Sequence, residues 1–561
     1  MAKKIKNESK FNLIDAIFLI APFFYGIFPI WSCALLGIIC VAGILYKYSI
    51  EKRIVLPKGK NIYLIIIYLL SFLITEFVAI DKGMNILAFI KNIPILLFII
   101  LVAQFSESEE TIKRHFYMIS ISSAVSVVVS GLIALIPDSE FYLNSRLHGI
   151  FFYANSYGLF LLIGVISLLF KKDYKYYDYI MFLALFIGII LTNSRAIIVM
   201  TITFSIATIF FNKEYIKRSI IIIVSFVIMF VFAYFVFNME KRVSTDMLQS
   251  SEFISRIIYY EDALNIIKTH PFGIGYEGFW YEQAKDQTAI YDTKFVHSSI
   301  IQILLDVGFV PTIALALMIL FVFFDKKQTA FNRIMMLLIV GHSIIDIDLE
   351  YIYFILILSL FINYDSIVVT SSKLIYSLSS AFMVVFIWIF IGDASYYMEK
   401  YEICEKVIPF HSDAIQKVLY SVPDKEEQLK YANNILKYNK NVSGAYEALR
   451  NDSIEKNDFK NAVKYEKERL DLNKYKIQNY MTYASILNDA IAYNIKNATE
   501  SSEEEIKNYL KEVINIETQI NNTLEKTNPL CYKTIHTPEL DIPDELQSYI
   551  DNCKINLDKI S

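Results

Sequence analysis

Residues 62–80 read IYLIIIYLLSFLITEFVAI, and residues 219–237 read SIIIIVSFVIMFVFAYFVF. Each run is about 20 residues, the length a helix needs to cross about 30 Å of hydrocarbon. A helix in lipid satisfies its own backbone hydrogen bonds, so runs of this kind imply a helical bundle. Such runs recur: the 561 residues are 55% hydrophobic and only 20% charged, with mean hydropathy +0.42, which excludes a water-soluble globule for the chain up to Asp393. The expected fold class is all-α: a polytopic helical membrane bundle of about thirteen transmembrane helices, followed by a C-terminal soluble helical, repeat-like domain.

Apolar runs place the spans near 12–29, 31–46, 62–80, 84–103, 115–136, 149–170, 178–192, 196–211, 219–237, 298–324, 332–345, 350–363 and 374–392. MAKKIKNESK is basic, but the apolar stretch after it lacks a small-residue cleavage site, so it reads as a retained first helix. The segments MAKKIKNESK, KYSIEKRIVLPKGK, SESEETIKRH, KKDYKYY, NKEYIKR, DKKQTAFNR and NYDSIVVTSSK alternate along the chain, and most are rich in lysine and arginine. The positive-inside rule assigns them to the cytoplasm. The opposite face then receives Arg146, His148, Arg195, Arg256, His297, His342 and Asp346, a long extracytoplasmic loop at 238–297, and everything after the last span.

The net charge of -4 comes from nearly balanced acids and bases with no basic stripe, so no nucleic-acid partner is expected. Cys33 and Cys40 lie in an apolar span, and Cys404, Cys531 and Cys553 lie in the tail. No C-x-x-C or cysteine/histidine cluster suggests a metal site. Pairing of Cys531 with Cys553 is not readable.

The chain divides at about Asp393 into a membrane domain, 1–392, and an extracytoplasmic tail, 393–561, rich in Lys, Asn, Glu and Tyr. Between Ala445 and Leu487 apolar residues recur at helical spacing, and Tyr446 and Tyr480 stand one 34-residue repeat apart. Tetratricopeptide-like helix pairs and an irregular helical bundle both fit. Either suits docking of a protein partner better than catalysis.

The long loop contains SSEFISRIIYYEDALNIIKTHPFGIGYEGFWYEQ, 250–283. From Phe253 to Lys268 the spacing of Phe253, Ile257, Leu264 and Ile267 predicts an amphipathic helix on the membrane surface. Pro271, Gly273 and Gly275 end it in a tight turn, giving a loop able to fold over a groove. The stretch 145–158, SRLHGIFFYANSYG, puts Arg146 and His148 at the mouth of a span and Asn155 about two turns inside. LTNSRA, 191–196, places Arg195 at a short turn. Taken singly, each arginine also fits a snorkelling interfacial side chain. As a set beside a histidine, their planar, permanently charged forks suit a diphosphate.

The ordered motifs resemble the O-antigen ligase and O-antigen polymerase superfamily of bacterial membrane glycosyltransferases. They are R-x-x-G-x-x-x-x-x-N at Arg146, Gly149 and Asn155; SR at Ser194 and Arg195; R-x-x-x-x-x-x-A-L with P-x-G-x-G at Arg256, Ala263, Leu264, Pro271, Gly273 and Gly275; H-S-x-x-x-Q-x-x-x-x-x-G at His297, Gln302 and Gly308; and HSIIDIDLE, 342–350. The family commonly has Asn where this chain has Ser298, and Gly where it has Ala196. The resemblance implies transfer of a glycan from a polyprenyl-diphosphate carrier to a glycan, lipid or protein acceptor hydroxyl at the outer face of the bacterial cytoplasmic membrane. It does not separate surface-polymer polymerisation, ligation and protein O-glycosylation.

The residues make physical sense of that reaction. A departing diphosphate needs positioned cations in a low-dielectric site, for which Arg146, Arg195 and Arg256 are candidates. With those cations and no acidic cage such as D-x-D, no cofactor and no metal is expected. The acceptor alcohol must lose its proton, and His297, at a membrane edge, is the candidate general base. Arg256 and Arg195 are assigned with His297 to catalysis, and Arg146, Asn155, Gln302, His342 and Asp346 to substrate binding. Gln302 lies over a turn deeper and suits orienting the sugar or a helix neighbour, and Asp306 deeper still. His342 and Asp346, one helical turn apart, are expected to meet. Tyr276, Trp280, Tyr281 and Tyr291 suit sugar stacking or an interfacial aromatic belt. A lipid-linked sugar flippase would instead place ionisable residues at span midplanes, and a scaffold would merely display the tail.

Overall fold

The computed structural model describes residues 11–105, 109–171, 173–211, 216–236, 250–497 and 502–560. The N-terminal MAKKIKNESK, parts of SESEETIKRH and NKEYIKR, and the start of the long loop lie outside the described residues. The protein is an all-α polytopic membrane protein. Four described helices, Ile30–Glu51, Lys82–Ala103, Glu109–Ile133 and Ser372–Tyr397, are long and apolar enough to cross a membrane, and shorter apolar helices complete the bundle. Helix Ala154–Leu169 is its central pillar, with every residue buried, the condition of a helix that is apolar on all sides. Helix Ser372–Tyr397 stands at the periphery, where Leu374, Leu378, Val384 and Ile391 are exposed. An apolar face of that size is stable against lipid and not against water.

The spans meet the expected runs with three differences. The first is a short helix, Leu13–Ile20, followed by 3-10 turns Ala21–Phe23 and Tyr25–Ile27. The run 350–363 contains only helix Ile352–Ser359. The run 298–324 is two helices, Ser299–Val307 and Phe309–Phe323, broken at Gly308.

Alternation in sequence becomes two ends in space. At one end, strand Ile54–Lys58 pairs antiparallel with Asp365–Val369. Gln104 bonds Val55 through both N–H and C=O, Asn61 donates to the Asn363 carbonyl, and Asn363 donates to Asp325. These are segments that the positive-inside reading puts on one face. At the other end the turn near 80 meets the long loop and the tail, the turn near 346 meets the returning limb of the loop, and Arg146 joins its own turn to the one near 193.

The loop helix runs Ser251–Thr269. Ile254, Ile258, Ala263 and Ile266 are buried; of the expected stripe Ile267 is buried with them, while Leu264 is exposed. The loop itself, and the tail segment around Cys531, cover the buried residues. The P-x-G-x-G turn then threads against the break at Gly308. Ile274 N–H donates to the Leu305 carbonyl at 2.6 Å, Gly275 N–H to Asp306 at 3.1 Å, and Phe309 N–H to Pro271 at 3.1 Å. Carbonyls that the broken helix leaves without a partner are thereby satisfied, as membrane depth requires. A side chain at Gly308 (φ +79°) would lie 2.5 Å from the Phe272 carbonyl carbon, and one at Gly273 (φ +85°) 2.8 Å from the Asp306 oxygen.

The tail is a run of helices, Ser412–Ser421, Lys425–Tyr438, Ser443–Glu455, Phe459–Asp471, Ile477–Lys496, Ser502–Lys526 and Asp544–Ile560, each packed on the one before. The starts Ser443 and Ile477 keep the 34-residue spacing, but the first pair has 13 and 13 residues and the second 20 and 25. The first helices of the two pairs thus keep the period, and the second helices, which start at Phe459 and Ser502, do not. The compositional change at Asp393 falls inside helix Ser372–Tyr397, where the buried Asp393 accepts from Trp31 N–H at 2.7 Å. All five cysteines are free.

Gly308→Val combines a glycine-only backbone with a steric overlap, and is expected to cost about 2–4 kcal/mol. Thermal melting in detergent checks this; a midpoint equal to wild type would show that the turn and the break do not need their close approach.

Candidate active site

The loop end is organised around Asp346, which follows the last turn of helix Ala330–Ser343. Its side chain is 2% exposed. Oδ1 accepts from the Tyr153 hydroxyl at 2.6 Å and from Ile347 N–H at 3.0 Å; Oδ2 accepts from Asn155 Nδ2 at 2.6 Å. Arg256 Nη2 lies 3.6 Å from Oδ2, and Arg256 Nη1 donates to the Ile345 carbonyl at 3.0 Å. Arg146 joins through Asn155: its Nη2 donates to Asn155 Oδ1 at 2.5 Å and its Nε to the Thr192 carbonyl at 3.0 Å. Burial alone would raise the Asp346 carboxyl, but the adjoining His297 imidazole and Arg256 guanidinium outweigh it and hold it well below the usual range.

His297 reaches the same carboxylate. Its Nδ1 is 3.2 Å from the Tyr153 hydroxyl and 3.6 Å from Asp346 Oδ1, and a quarter of its side chain is exposed. The Tyr153 proton goes to Asp346, so the Tyr153 oxygen accepts and Nδ1 carries the hydrogen, by the logic of the network. Nε2 is then the free base. The backbone at His297 is left-handed (φ +55°), a conformation histidine visits more than most residues. It is held by Tyr260, whose hydroxyl donates to the His297 carbonyl at 2.8 Å, and by the next helix, which Ser298 caps through Ile301 N–H at 3.5 Å. Serine at 298 thus closes a helix. Ser299 then donates N–H and hydroxyl to the Asp346 carbonyl, both at 2.9 Å.

Several predicted residues differ from expectation in position or partner. Asn155 is in the first turn of helix Ala154–Leu169, not two turns down, because residues 149–153 form a 3-10 turn and a left-handed Phe152 before the helix starts. His342 does not meet Asp346. The helix stops at Ser343, the chain turns, and His342 Nδ1 pairs with Asp348 at 2.6 Å, while Ser156 donates to the other Asp348 oxygen at 2.8 Å. Gln302 serves a helix neighbour: Nε2 donates to Asp306 at 2.8 Å and Oε1 accepts from Val296 N–H at 3.1 Å. Arg195 opens helix Arg195–Phe211, three residues beyond the carbonyl that Arg146 holds. His148 lies beside Arg146; burial and that guanidinium lower its pKa. The four loop aromatics are tied into the structure. Tyr276 bonds Lys91, Trp280 bonds Asp292, Tyr281 bonds Asp413 and Gln416, and Tyr291 bonds Asp262.

Sequence reasoning missed Tyr153, Asp348 and Lys91. Tyr153 stood in a quoted motif, but nothing set it apart from 38 other tyrosines of the 39. Lys91 carried a signal: it is the one charge inside helix Lys82–Ala103 past its first residue, and ionisable residues in spans are rare. It is 2% exposed and bonds Glu350 Oε2 and the Tyr276 hydroxyl, each at 3.0 Å. Glu350 also lines an apolar cavity of about 140 Å³, together with Ile65, Ile99, Ile303, Ile319 and Leu349.

Residues 180–316 match a family model described as O-antigen ligase. The matched stretch includes Arg195, Arg256, the P-x-G-x-G turn, His297 and Gly308, and bears out the resemblance read from the motifs. No curated protein matches the chain. The match supports glycan transfer of O-antigen ligase or polymerase type as the general activity.

Because Asp346 titrates below its unfolded value near 3.8, its ionised form contributes stability at neutral pH that is lost as pH falls below about 4. Asp346→Asn removes the counter-charge of Arg256 and is expected to destabilise at pH 7 by roughly 2–4 kcal/mol, toward the low end because Arg256 keeps access to water. Melting curves at pH 7 and at about pH 2.5 check the sign, because the loss sets in only below the unfolded value: the deficit should shrink at the lower pH. A deficit that is constant or larger at about pH 2.5 would mean that the carboxylate charge is not what matters.

Proposed function

We propose that the protein transfers a glycan from a polyprenyl-diphosphate carrier to an acceptor hydroxyl at the outer face of the bacterial cytoplasmic membrane, in surface-polysaccharide polymerisation or ligation. The N-terminus is cytoplasmic in this reading. The membrane domain, 1–392, carries the chemistry, and the tail, from 393, lies outside the cytoplasm. One observation supports it above the others: a polar rim joins His297, Tyr153, Asp346, Arg256, Asn155 and Arg146 by direct contacts, and Ser299 links it to an apolar cavity, its hydroxyl donating to the Asp346 carbonyl and accepting from the N–H of Leu349, which lines that cavity. A donor with a charged head and an isoprenoid tail needs that pairing of environments.

The acceptor oxygen attacks the anomeric carbon as the bond from that carbon to the diphosphate oxygen breaks. The acceptor proton passes to His297 Nε2, and the departing electron pair stays on the diphosphate. Nδ1–H points to Tyr153 and Asp346, so the imidazolium forms beside a fixed negative charge. General base assistance of this kind contributes roughly 10²–10⁴-fold. Arg256, Arg195 and Arg146 meet the charge that grows on the diphosphate, and no divalent metal is needed. Asn155 and Asp346 orient the rim, Gln302 orients the loop, and His342 with Asp348 fixes the turn that presents Asp346.

A buried Lys91–Glu350 pair beside an apolar cavity also favours a second reading, translocation of the lipid-linked sugar. Transfer to a protein hydroxyl is the other alternative.

With purified protein, a polyprenyl-diphosphate oligosaccharide and glycan, lipid and protein acceptors, wild type is expected to transfer glycan equally with and without a chelator. His297→Ala, still folded by melting, is expected to lose at least about 100-fold. Equal turnover by the variant would remove His297 as the base. Abolition by the chelator would overturn metal independence, and transbilayer movement of the lipid without any transfer would favour translocation.

A further inference from the structure

The long loop has two limbs, one carrying Arg256 and the other His297, and the tail grips both. On the first limb, Ile254 and Ile258 pack with Ala289 and with Cys531 of the tail. Glu261 accepts from Asn528 Nδ2 at 2.6 Å, and Asn528 N–H donates to the Thr288 carbonyl at 2.8 Å. Thr288 and Tyr291 donate in turn to Asp262, at 2.8 and 2.7 Å, closing the returning chain onto the helix of Arg256. On the second limb, Lys294 lies between Glu277 at 2.8 Å and Asp413 of the tail at 3.2 Å, and 5.0 Å over the Trp280 ring. Asp413 also accepts from Tyr281 at 3.2 Å. Lys294 stands three residues before His297, at most about 10 Å of chain away.

The tail is itself anchored to the bundle. Asp81, at the start of helix Lys82–Ala103, accepts from Ser412 at 2.6 Å and Asn439 at 2.9 Å, all three buried. At Gly83 the Phe410 carbonyl comes so near that an added side-chain carbon would overlap it. Bundle, tail and loop therefore form a closed mechanical circuit.

We propose that the tail is a positioning element of the reaction site: Asp413, acting through Lys294, and the turn at Asn528, acting through Glu261 and Thr288, hold His297 and Arg256 in register with Asp346. The mechanical part stands on these contacts alone; its catalytic consequence rests on the function proposed above. Burial would raise the Asp413 carboxyl, but the Lys294 ammonium outweighs it, whereas burial and the Asp413 charge push Glu277 up to about 8. The ion pair that crosses from tail to loop is thus Lys294 with Asp413. A displacement of about 1 Å at a reacting group can cost a hundredfold in rate, so the clamp acts on turnover more than on donor affinity.

The test uses the full chain in lipid nanodiscs with Lys294→Met, Asp413→Ala and the conservative Lys294→Arg. Two readouts are taken: amide hydrogen exchange over 286–299, and kcat and KM for a polyprenyl-diphosphate oligosaccharide. In Lys294→Met and Asp413→Ala, exchange over 286–299 is expected to rise at least about tenfold with the spans unchanged. kcat should fall at least about tenfold while donor KM stays near wild type, and Lys294→Arg should restore both. Unchanged exchange in the first two variants overturns the clamp whatever the activity. Faster exchange with unchanged kcat overturns the positioning role. Absence of turnover in the wild type counts against the proposed function, and the exchange comparison then decides the clamp by itself.

Discussion

A buried carboxylate must be surrounded by donors or it will not stay ionised, and Asp346 meets this demand by drawing three separate stretches of chain to one point. Tyr153 and Asn155 come from the start of the central helix, Arg256 from the loop helix and His297 from the returning chain, where Ser299 ties the Asp346 carbonyl. None of these is near Asp346 in sequence; only the Ile347 N–H is a local donor. Loss of the charge would leave Arg256 without its counter-ion, while Ser299 and Arg256 still bond the backbone of the turn 344–348. Order at this end of the bundle is therefore electrostatic at its centre and apolar at its margins.

The second constraint is backbone satisfaction at membrane depth. A helix broken at Gly308 exposes carbonyls that lipid cannot serve, and the Pro271–Gly275 turn serves them. Because that turn lies midway between Arg256 and His297 in the chain, mending the helix also sets where both limbs of the loop begin. The Tyr276–Lys91–Glu350 contact extends the join into the bundle and neutralises a lysine that would otherwise be costly there.

Much of this was legible. Apolar runs such as 62–80 located the spans, the alternation of basic segments foretold which turns would share an end, and ordered motifs named five members of the Asp346 neighbourhood: Arg146, Asn155, Arg256, His297 and Asp346 itself. What escaped had local causes. The pairing of His342 with Asp346 assumed a helix that continues, whereas the chain turns after Ser343 and offers Asp348 instead. Span 298–324 read as continuous because a single glycine in an apolar run does not announce a positive φ. The stripe chosen for the loop helix assumed a membrane as its partner, and the tail, whose docking no sequence pattern encodes, took another stripe. Tyr153 was hidden by the abundance of its own kind.

The loop's attachments have a consequence for substrate traffic. A segment fastened to a broken helix at its turn and to the tail on both limbs cannot swing as a hinged cover in the way its glycines suggested. Two reactants of the proposed kind would then have to arrive along different routes. The lipid-borne one would come sideways, by two-dimensional diffusion between helices toward the cavity at Leu349 and Glu350. The water-borne one would come from above, by the exposed edge of His297. Routes that do not cross need no obligatory order of arrival, and one product can leave while the other is being replaced.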